Sequence, residues 1–174
     1  LGVLGAGLMG AGIAGAAAEA GVAVRLKDAS HEAVGRGLQH VRSLLDERVK
    51  RRRLTRLEAE GRLNRIAPTV DYSGFRRASL VIEAVFEDLE LKRRVLAETE
   101  KATRDECVFA SNTSSIPIGE IAKGCRRPAQ VLGMHFFSPV HKMPLLEIVA
   151  TPETSLAAIA TAVTFGRRIG KHVI

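Results

Sequence analysis

The chain has no tryptophan, one tyrosine (Tyr72) and only two cysteines among its 174 residues. So few aromatics exclude the interleaved stacking surface that single-stranded nucleic acids need. A net charge of +7 therefore does not make this a nucleic-acid-binding chain. Cys107 and Cys125 match no metal-ligand spacing and are too few for a disulfide framework. They read as free thiols in a reducing, cytoplasmic compartment, and no metal site is expected. No apolar run reaches the ~20 residues that a membrane helix requires. The alanine-rich stretch from Ala11 to Ala20 is short and is interrupted by Glu19. There is no secretory signal, no internal repeat and no low-complexity segment. The positive charge is densest at Arg48-Val49-Lys50-Arg51-Arg52-Arg53. This run is either a solvated helix face or a surface that attracts polyanionic ligands.

An apolar strand, Leu1-Gly2-Val3-Leu4, leads into Gly5-Ala6-Gly7-Leu8-Met9-Gly10 and then into a helix of small residues that Gly21 closes. G-x-G-x-x-G between a strand and a helix is a dinucleotide-binding signature. Gly5 permits the tight turn, Gly7 lets the backbone approach a pyrophosphate, and Gly10 lets the helix lie close to the strand. Together with Leu8 and Met9 they form a helix N-terminus, whose free N–H groups and partial positive charge suit an anion. The next strand, Val22 to Lys27, ends in Asp28, 23 residues after Gly5 (28 − 5). A carboxylate there binds the adenosine ribose hydroxyls and repels a 2′-phosphate, which favours NAD over NADP. Arg25 and Lys27 pull the other way, and Asp28 could instead act as a helix N-cap ahead of Ser30.

Apolar positions Val34, Leu38, Val41, Leu44, Leu45 and Val49 recur at steps of three and four, which predicts a long amphipathic helix. Thr55-Arg56-Leu57-Glu58 is a capping box for a second helix. Residues 31–63 thus form a helical hairpin where a plain crossover would hold one short helix. Strands follow at 66–70, 80–84, 108–110, 131–137 and 145–149, separated by helices at 88–102, 116–122 and 154–168. Alternation of this kind implies a Rossmann-type, doubly wound, mainly parallel sheet carrying an inserted hairpin. The chain begins inside a strand and stops at His172-Val173-Ile174 as another begins. The expectation is one domain, residues 1–174, of a longer protein.

In such sheets ligands sit beyond the carboxyl ends of the strands. Three polar clusters fall there: Glu83 to Glu87, Ser111 to Ser115, and Gly133 to Pro139. Of five histidines only His135 is embedded among apolar residues on a strand. Such a residue is either a satisfied core histidine or a general base of near-neutral pKa. Glu147 interrupts an apolar strand, Leu145 to Val149. It either faces solvent on an edge or pairs with a cation or donor, since an unpaired buried carboxylate is costly. A histidine on the neighbouring strand would serve.

The ordered runs Gly5-Ala6-Gly7-Leu8-Met9-Gly10, Glu83-Ala84-Val85-Phe86-Glu87, Ala110-Ser111-Asn112-Thr113-Ser114-Ser115 and Gly133-Met134-His135-Phe136-Phe137-Ser138-Pro139-Val140 closely resemble the L-3-hydroxyacyl-CoA dehydrogenase family over essentially the whole chain. His141 to Glu147 and Gly170-Lys171 look most like the multifunctional fatty acid oxidation subunits, in which this domain follows an enoyl-CoA hydratase domain. The resemblance implies NAD-dependent oxidation of an L-3-hydroxyacyl-CoA to the 3-ketoacyl-CoA in β-oxidation. It makes His135 the general base and Glu147 its partner, has Ser114 hydrogen-bond the substrate oxygen, and has Asn112 position nicotinamide and substrate. Gly5, Gly7, Gly10 and Asp28 would hold the ADP half of NAD, with Glu87 and Lys92 on the ribose side. The basic hairpin would lie near the CoA phosphates. Ser138, in the segment that approaches the cofactor, stands where the family usually carries Asn. The family's helical dimerisation domain is absent from this chain, so the fragment alone is expected to bind NAD with weak or no turnover. Two alternatives stand beside this reading. One is an NAD-dependent dehydrogenase of a non-CoA 3-hydroxy acid. The other is a non-catalytic NAD-binding or structural relative.

Overall fold

The computed structural model describes residues 1–174. The elements run β1 (Gly2–Leu4), α1 (Leu8–Glu19), β2 (Val24–Lys27), α2 (His31–Lys50), α3 (Arg56–Leu63), β3 (Ile66–Thr69), β4 (Leu80–Glu83), α4 (Leu89–Ala102), β5 (Val108–Ser111), α5 (Ile118–Ala122), β6 (Val131–Phe136), β7 (Leu145–Val149), α6 (Leu156–Arg168) and β8 (His172–Val173). All eight strands join one sheet in the order β3-β2-β1-β4-β5-β6-β7-β8. The Rossmann-type doubly wound architecture read from the sequence is the one observed. The chain winds outward from β1 to β3 and then returns to lay β4 on the other side of β1. That reversal opens a crevice at the carboxyl ends of β1 and β4.

From β3 across to β6 every neighbouring pair is parallel. Such strands are covered on both faces and read as continuous apolar runs rather than alternating ones. In β4, Leu80 and Ile82 enter the larger core with Val3, Ile13, Leu26 and Leu132. Val81 faces the other way, with Leu4, Phe75, Leu96 and Phe109. Pro68 falls on β3, at the sheet edge, where a missing backbone donor breaks no ladder between two strands. β7 runs antiparallel to β6. The eight residues between them, 137–144, are too few for the crossover that a parallel return needs.

The hairpin of α2 and α3 forms as its periodicity predicts. Ser30 caps α2 by accepting from the Ala33 amide, and Thr55 and Glu58 complete the capping box of α3. Glu19, at the end of α1, binds Arg48 of α2 and stands 3.9 Å from Arg62 of α3. α2 also lies against the glycine-rich loop: a Cβ on Gly37 would come within 2.6 Å of the Ala6 carbonyl oxygen. No helix is long and apolar enough to cross a membrane.

Candidate active site

The glycine loop is shaped by close backbone approach. Gly5 has φ +93°, and a Cβ there would meet the Ala84 carbonyl oxygen at 2.5 Å. A Cβ on Gly10 would fall 1.8 Å from the Gly5 carbonyl oxygen. Gly7 differs, since nothing lies within 4 Å of its added Cβ. It is the N-cap of α1, offers no side-chain cap, and no acid stands in the first turn. The amides at the start of α1, through Leu8 and Met9, therefore look onto open space with their dipole uncompensated. Those are the conditions a diphosphate needs.

Asp28 lies at the other end of this space. Its Oδ2 accepts from the Ala6 amide and its Oδ1 from the Ala29 amide, both at 2.6 Å. Ser30, not Asp28, caps α2. Asp28 therefore ties β2 to the glycine loop, and an ionised carboxylate retains acceptor capacity for ribose hydroxyls. Of the two nearby cations only Arg25 stands outside the adjoining groove, whereas Lys27 lines it beside Asp28. Lys27 Nζ lies 4.7 Å from the centre of the Tyr72 ring, and Arg25 packs on Gly74, whose Cβ would meet its Nε at 2.4 Å. A groove of about 830 Å³ runs from the loop past Asp28 to Tyr72, with Val85 and Phe86 on its rim. This groove, the uncapped helix and Asp28 fit an NAD molecule.

Between the loop and the next strand ends stands a buried ionic network. Lys92 Nζ donates to Glu83 Oε1 at 2.7 Å and stands 3.2 Å from Glu87 Oε2. Lys92 is 1% exposed, whereas the Glu87 side chain is 39% exposed. Of this pair, expected together beside the ribose, Glu87 is thus the one that reaches the surface, and Lys92 stands behind it. Glu87 Oε1 also accepts from the Thr113 hydroxyl, from the Ser115 hydroxyl at 3.1 Å, and from the Ser114 and Ser115 amides at 3.2 and 3.3 Å. Burial disfavours the Glu87 charge, but the Thr113 hydroxyl, Lys92 and Ser115 outweigh it and pull the pKa down to about 2. A depressed folded-state pKa stabilises the fold above the ordinary value of 4.5, and this stabilisation is lost as pH falls through about 2. Glu87→Gln is expected to flatten the acid limb of the melting temperature between those two values. Parallel curves for variant and wild type would show that the network does not hold the carboxylate.

On the far side of the crevice the antiparallel register sets His135 directly opposite Glu147. His135 Nδ1 and Glu147 Oε2 are 2.8 Å apart. β7 is not the edge strand, since β8 lies beyond it. Glu147 therefore has a defined partner across the ladder, and Nε2 is left as the free nitrogen of the ring. Asn112 Oδ1 accepts from the Phe136 amide at 2.9 Å. This bond ties the end of β5 to the residue next to His135. Ser114 is exposed, with its amide on Glu87 and its hydroxyl unengaged. Ser138 is also exposed, on the loop that leaves β6. The structure thus brings together two sets of predicted site residues at one end of the sheet: Gly5, Gly7, Gly10, Asp28 and Glu87, and Asn112, Ser114, His135 and Glu147. Sequence reasoning left Glu83 and Ser111 without a role, although an acid ending a strand as apolar as Leu80-Val81-Ile82 was a visible signal.

A doubly wound sheet with an uncapped glycine-rich helix start, a carboxylate after β2 and a His–Glu pair across the crevice is a dinucleotide-binding domain of the dehydrogenase type. The chain belongs to the 3-hydroxyacyl-CoA dehydrogenase NAD-binding domain family, whose model matches residues 1–174. It is 48% identical, over its whole length, to a fatty acid oxidation complex subunit alpha of Idiomarina loihiensis. Among solved structures it is similar to a 3-hydroxybutyryl-CoA dehydrogenase of Escherichia coli, at 36% identity and TM-score 0.95. A (S)-3-hydroxybutyryl-CoA dehydrogenase of Ralstonia eutropha matches at 36% identity and TM-score 0.96. Both matches cover 99% of this chain. The chain spans 25% of the Idiomarina relative and 37% and 61% of the two solved chains.

Proposed function

We propose that this domain is the cofactor-holding half of an enzyme that oxidises L-3-hydroxyacyl-CoA to 3-ketoacyl-CoA in fatty acid β-oxidation. The observation that carries the reading is the cross-strand pair of His135 and Glu147 at 2.8 Å, at the same sheet end as the glycine loop. Glu147 accepts from Nδ1–H, so the proton-free Nε2 is the nitrogen that takes a substrate hydroxyl proton. The carboxylate also stabilises the imidazolium that results. NAD, when bound, supplies the hydride acceptor. The Ser114 hydroxyl, exposed and without a partner, would donate to the substrate oxygen. The Asn112 side-chain oxygen is engaged by the Phe136 amide, and its N–H donors would help to position nicotinamide and substrate.

A second groove supports the CoA ester. It measures about 850 Å³ and lies between α1, α2 and α6, lined by Arg48, Arg51, Arg53, Lys142 and Arg168. Glu19 takes Arg48, and Glu47 stands 3.9 Å from Arg51. The other three side chains have no ion-pair partner, so the groove remains cationic and suits phosphates. A relative four times the length of this domain supports a parent protein that also carries an enoyl-CoA hydratase domain and a helical dimerisation domain. Two free cysteines accord with a reducing cytoplasm.

The test compares turnover of L-3-hydroxybutyryl-CoA with that of free L-3-hydroxybutyrate by the full-length protein. The ester is expected to be strongly preferred. Equal turnover would favour a dehydrogenase of free 3-hydroxy acids, and no turnover of either would favour a non-catalytic relative.

A further inference from the structure

Glu83 closes β4 with its side chain entirely buried, and none of the roles above uses it. Its Oε1 accepts from Lys92 Nζ at 2.7 Å and from the Val85 amide at 2.8 Å. Its Oε2 accepts from the Ser111 hydroxyl at 2.6 Å, and its backbone carbonyl accepts from the Asn112 amide at 2.8 Å. Two routes therefore lead from this residue to the loop after β5. One is direct, through Ser111 and Asn112. The other passes through Lys92 to Glu87, whose carboxylate gathers Thr113, Ser114 and Ser115.

Stability alone does not account for a carboxylate here. Replacing a buried ion pair with apolar side chains of similar volume is often neutral or stabilising, and the rest of β4 is apolar. What Glu83 adds is direction. Lys92, 1% exposed, divides its charge between two carboxylates. Without the Glu83 charge the buried ammonium turns wholly to Glu87. That competes with the Thr113 hydroxyl and the Ser114 and Ser115 amides for the same group.

We propose that Glu83 is a positioning residue: through Lys92 and Ser111 it holds Glu87 and the β5–α5 loop in the arrangement that presents Asn112 and Ser114 to the reacting groups. The roles of Asn112 and Ser114 rest on the proposed function, whereas the effect on Glu87 and the cofactor does not.

The test uses the full-length protein and the variants Glu83→Gln, Ser111→Ala and Glu87→Gln. NADH binding is followed by the fluorescence of the bound dihydronicotinamide, and kcat and KM are measured per folded active site. Glu83→Gln is expected to weaken NADH about tenfold and to lower kcat by about 10²-fold. In a Glu87→Gln background it is expected to change NADH affinity by less than about twofold, because the relay ends at Glu87. Ser111→Ala cuts the other route without leaving a buried cation short of a partner. It is expected to lower kcat about tenfold with the acyl-CoA KM kept. A lowered melting temperature with unchanged kcat per folded site, unchanged NADH affinity and additive effects in the double mutant would overturn the proposal. If Glu83→Gln does not fold, the cycle of Ser111→Ala with Glu87→Gln decides: sub-additive effects on kcat sustain the relay and additive ones refute it. Failure of the unmutated protein to oxidise any 3-hydroxyacyl-CoA would remove the proposed function and leave the NADH measurement as the judge of Glu83.

Discussion

Replacing His135 with alanine in the full-length protein is expected to lower oxidation of an L-3-hydroxyacyl-CoA by about 10²- to 10⁴-fold while NADH binding is retained. In barrier terms this is about 3–5 kcal/mol. The expectation follows from placement. The ring is on β6, held from behind by Glu147 at Nδ1, whereas the groove proposed for NAD is built by the glycine loop, Asp28 and the rim of β4. Truncating the ring removes the proposed proton acceptor and none of the groups around that groove. His135 also lies against Phe137, with ring centroids 4.7 Å apart, so alanine leaves some unfilled space and a modest fall in melting temperature accompanies the kinetic loss. Equal losses of NADH affinity and turnover would assign His135 to packing instead of proton transfer. Glu147→Gln keeps the shape of the pair and removes the charge, and is expected to lower kcat by less than His135→Ala does.

The second large effect is expected at Gly10. An alanine there places its Cβ 1.8 Å from the Gly5 carbonyl oxygen, and both partners are backbone, so no side chain can swing aside. The helix must lift from the strand. The expected destabilisation is about 3 kcal/mol, with loss of NADH binding because the amides of α1 move with the helix. Gly7→Ala is the matched control. Its Cβ meets nothing in the protein, so the urea midpoint is expected to stay near wild type while NADH binding falls, the methyl group standing where the ligand must approach. If both variants unfold alike, or if Gly10→Ala keeps full stability, the division of roles within the loop is wrong.

The glycine loop, Asp28 and His135 were legible because each carries a local signal, whereas Asn112, Ser114, Glu87 and Lys92 were reached only through the family resemblance. A glycine that must approach backbone closely, an acid after a strand and a histidine within an apolar run are visible one at a time. Their partners were not. Glu147 was ambiguous between a solvent-facing and a paired carboxylate until the antiparallel register set it opposite His135. The pairing of Lys27 with Tyr72 and of Arg25 with Gly74 likewise depends on segments more than 40 residues away (72 − 27, 74 − 25). Lys92, matched by resemblance to the ribose side, is behind Glu87 because α4 packs its buried face on β4.

By itself the sequence determined the alternation of strands and helices, the hairpin caps, the dinucleotide loop and the family, since these depend on periodicity, capping chemistry and backbone sterics within a few residues. Only the tertiary structure decided which polar side chains meet. The strand order puts β4 between β1 and β5, so Glu83 can reach Ser111, the packing of α4 against β4 brings Lys92 to it, and the short return after β6 puts Glu147 beside His135. Hydrogen bonds and ion pairs act over about 3 Å. Residues far apart in the chain acquire partners only when sheet register brings them within that distance.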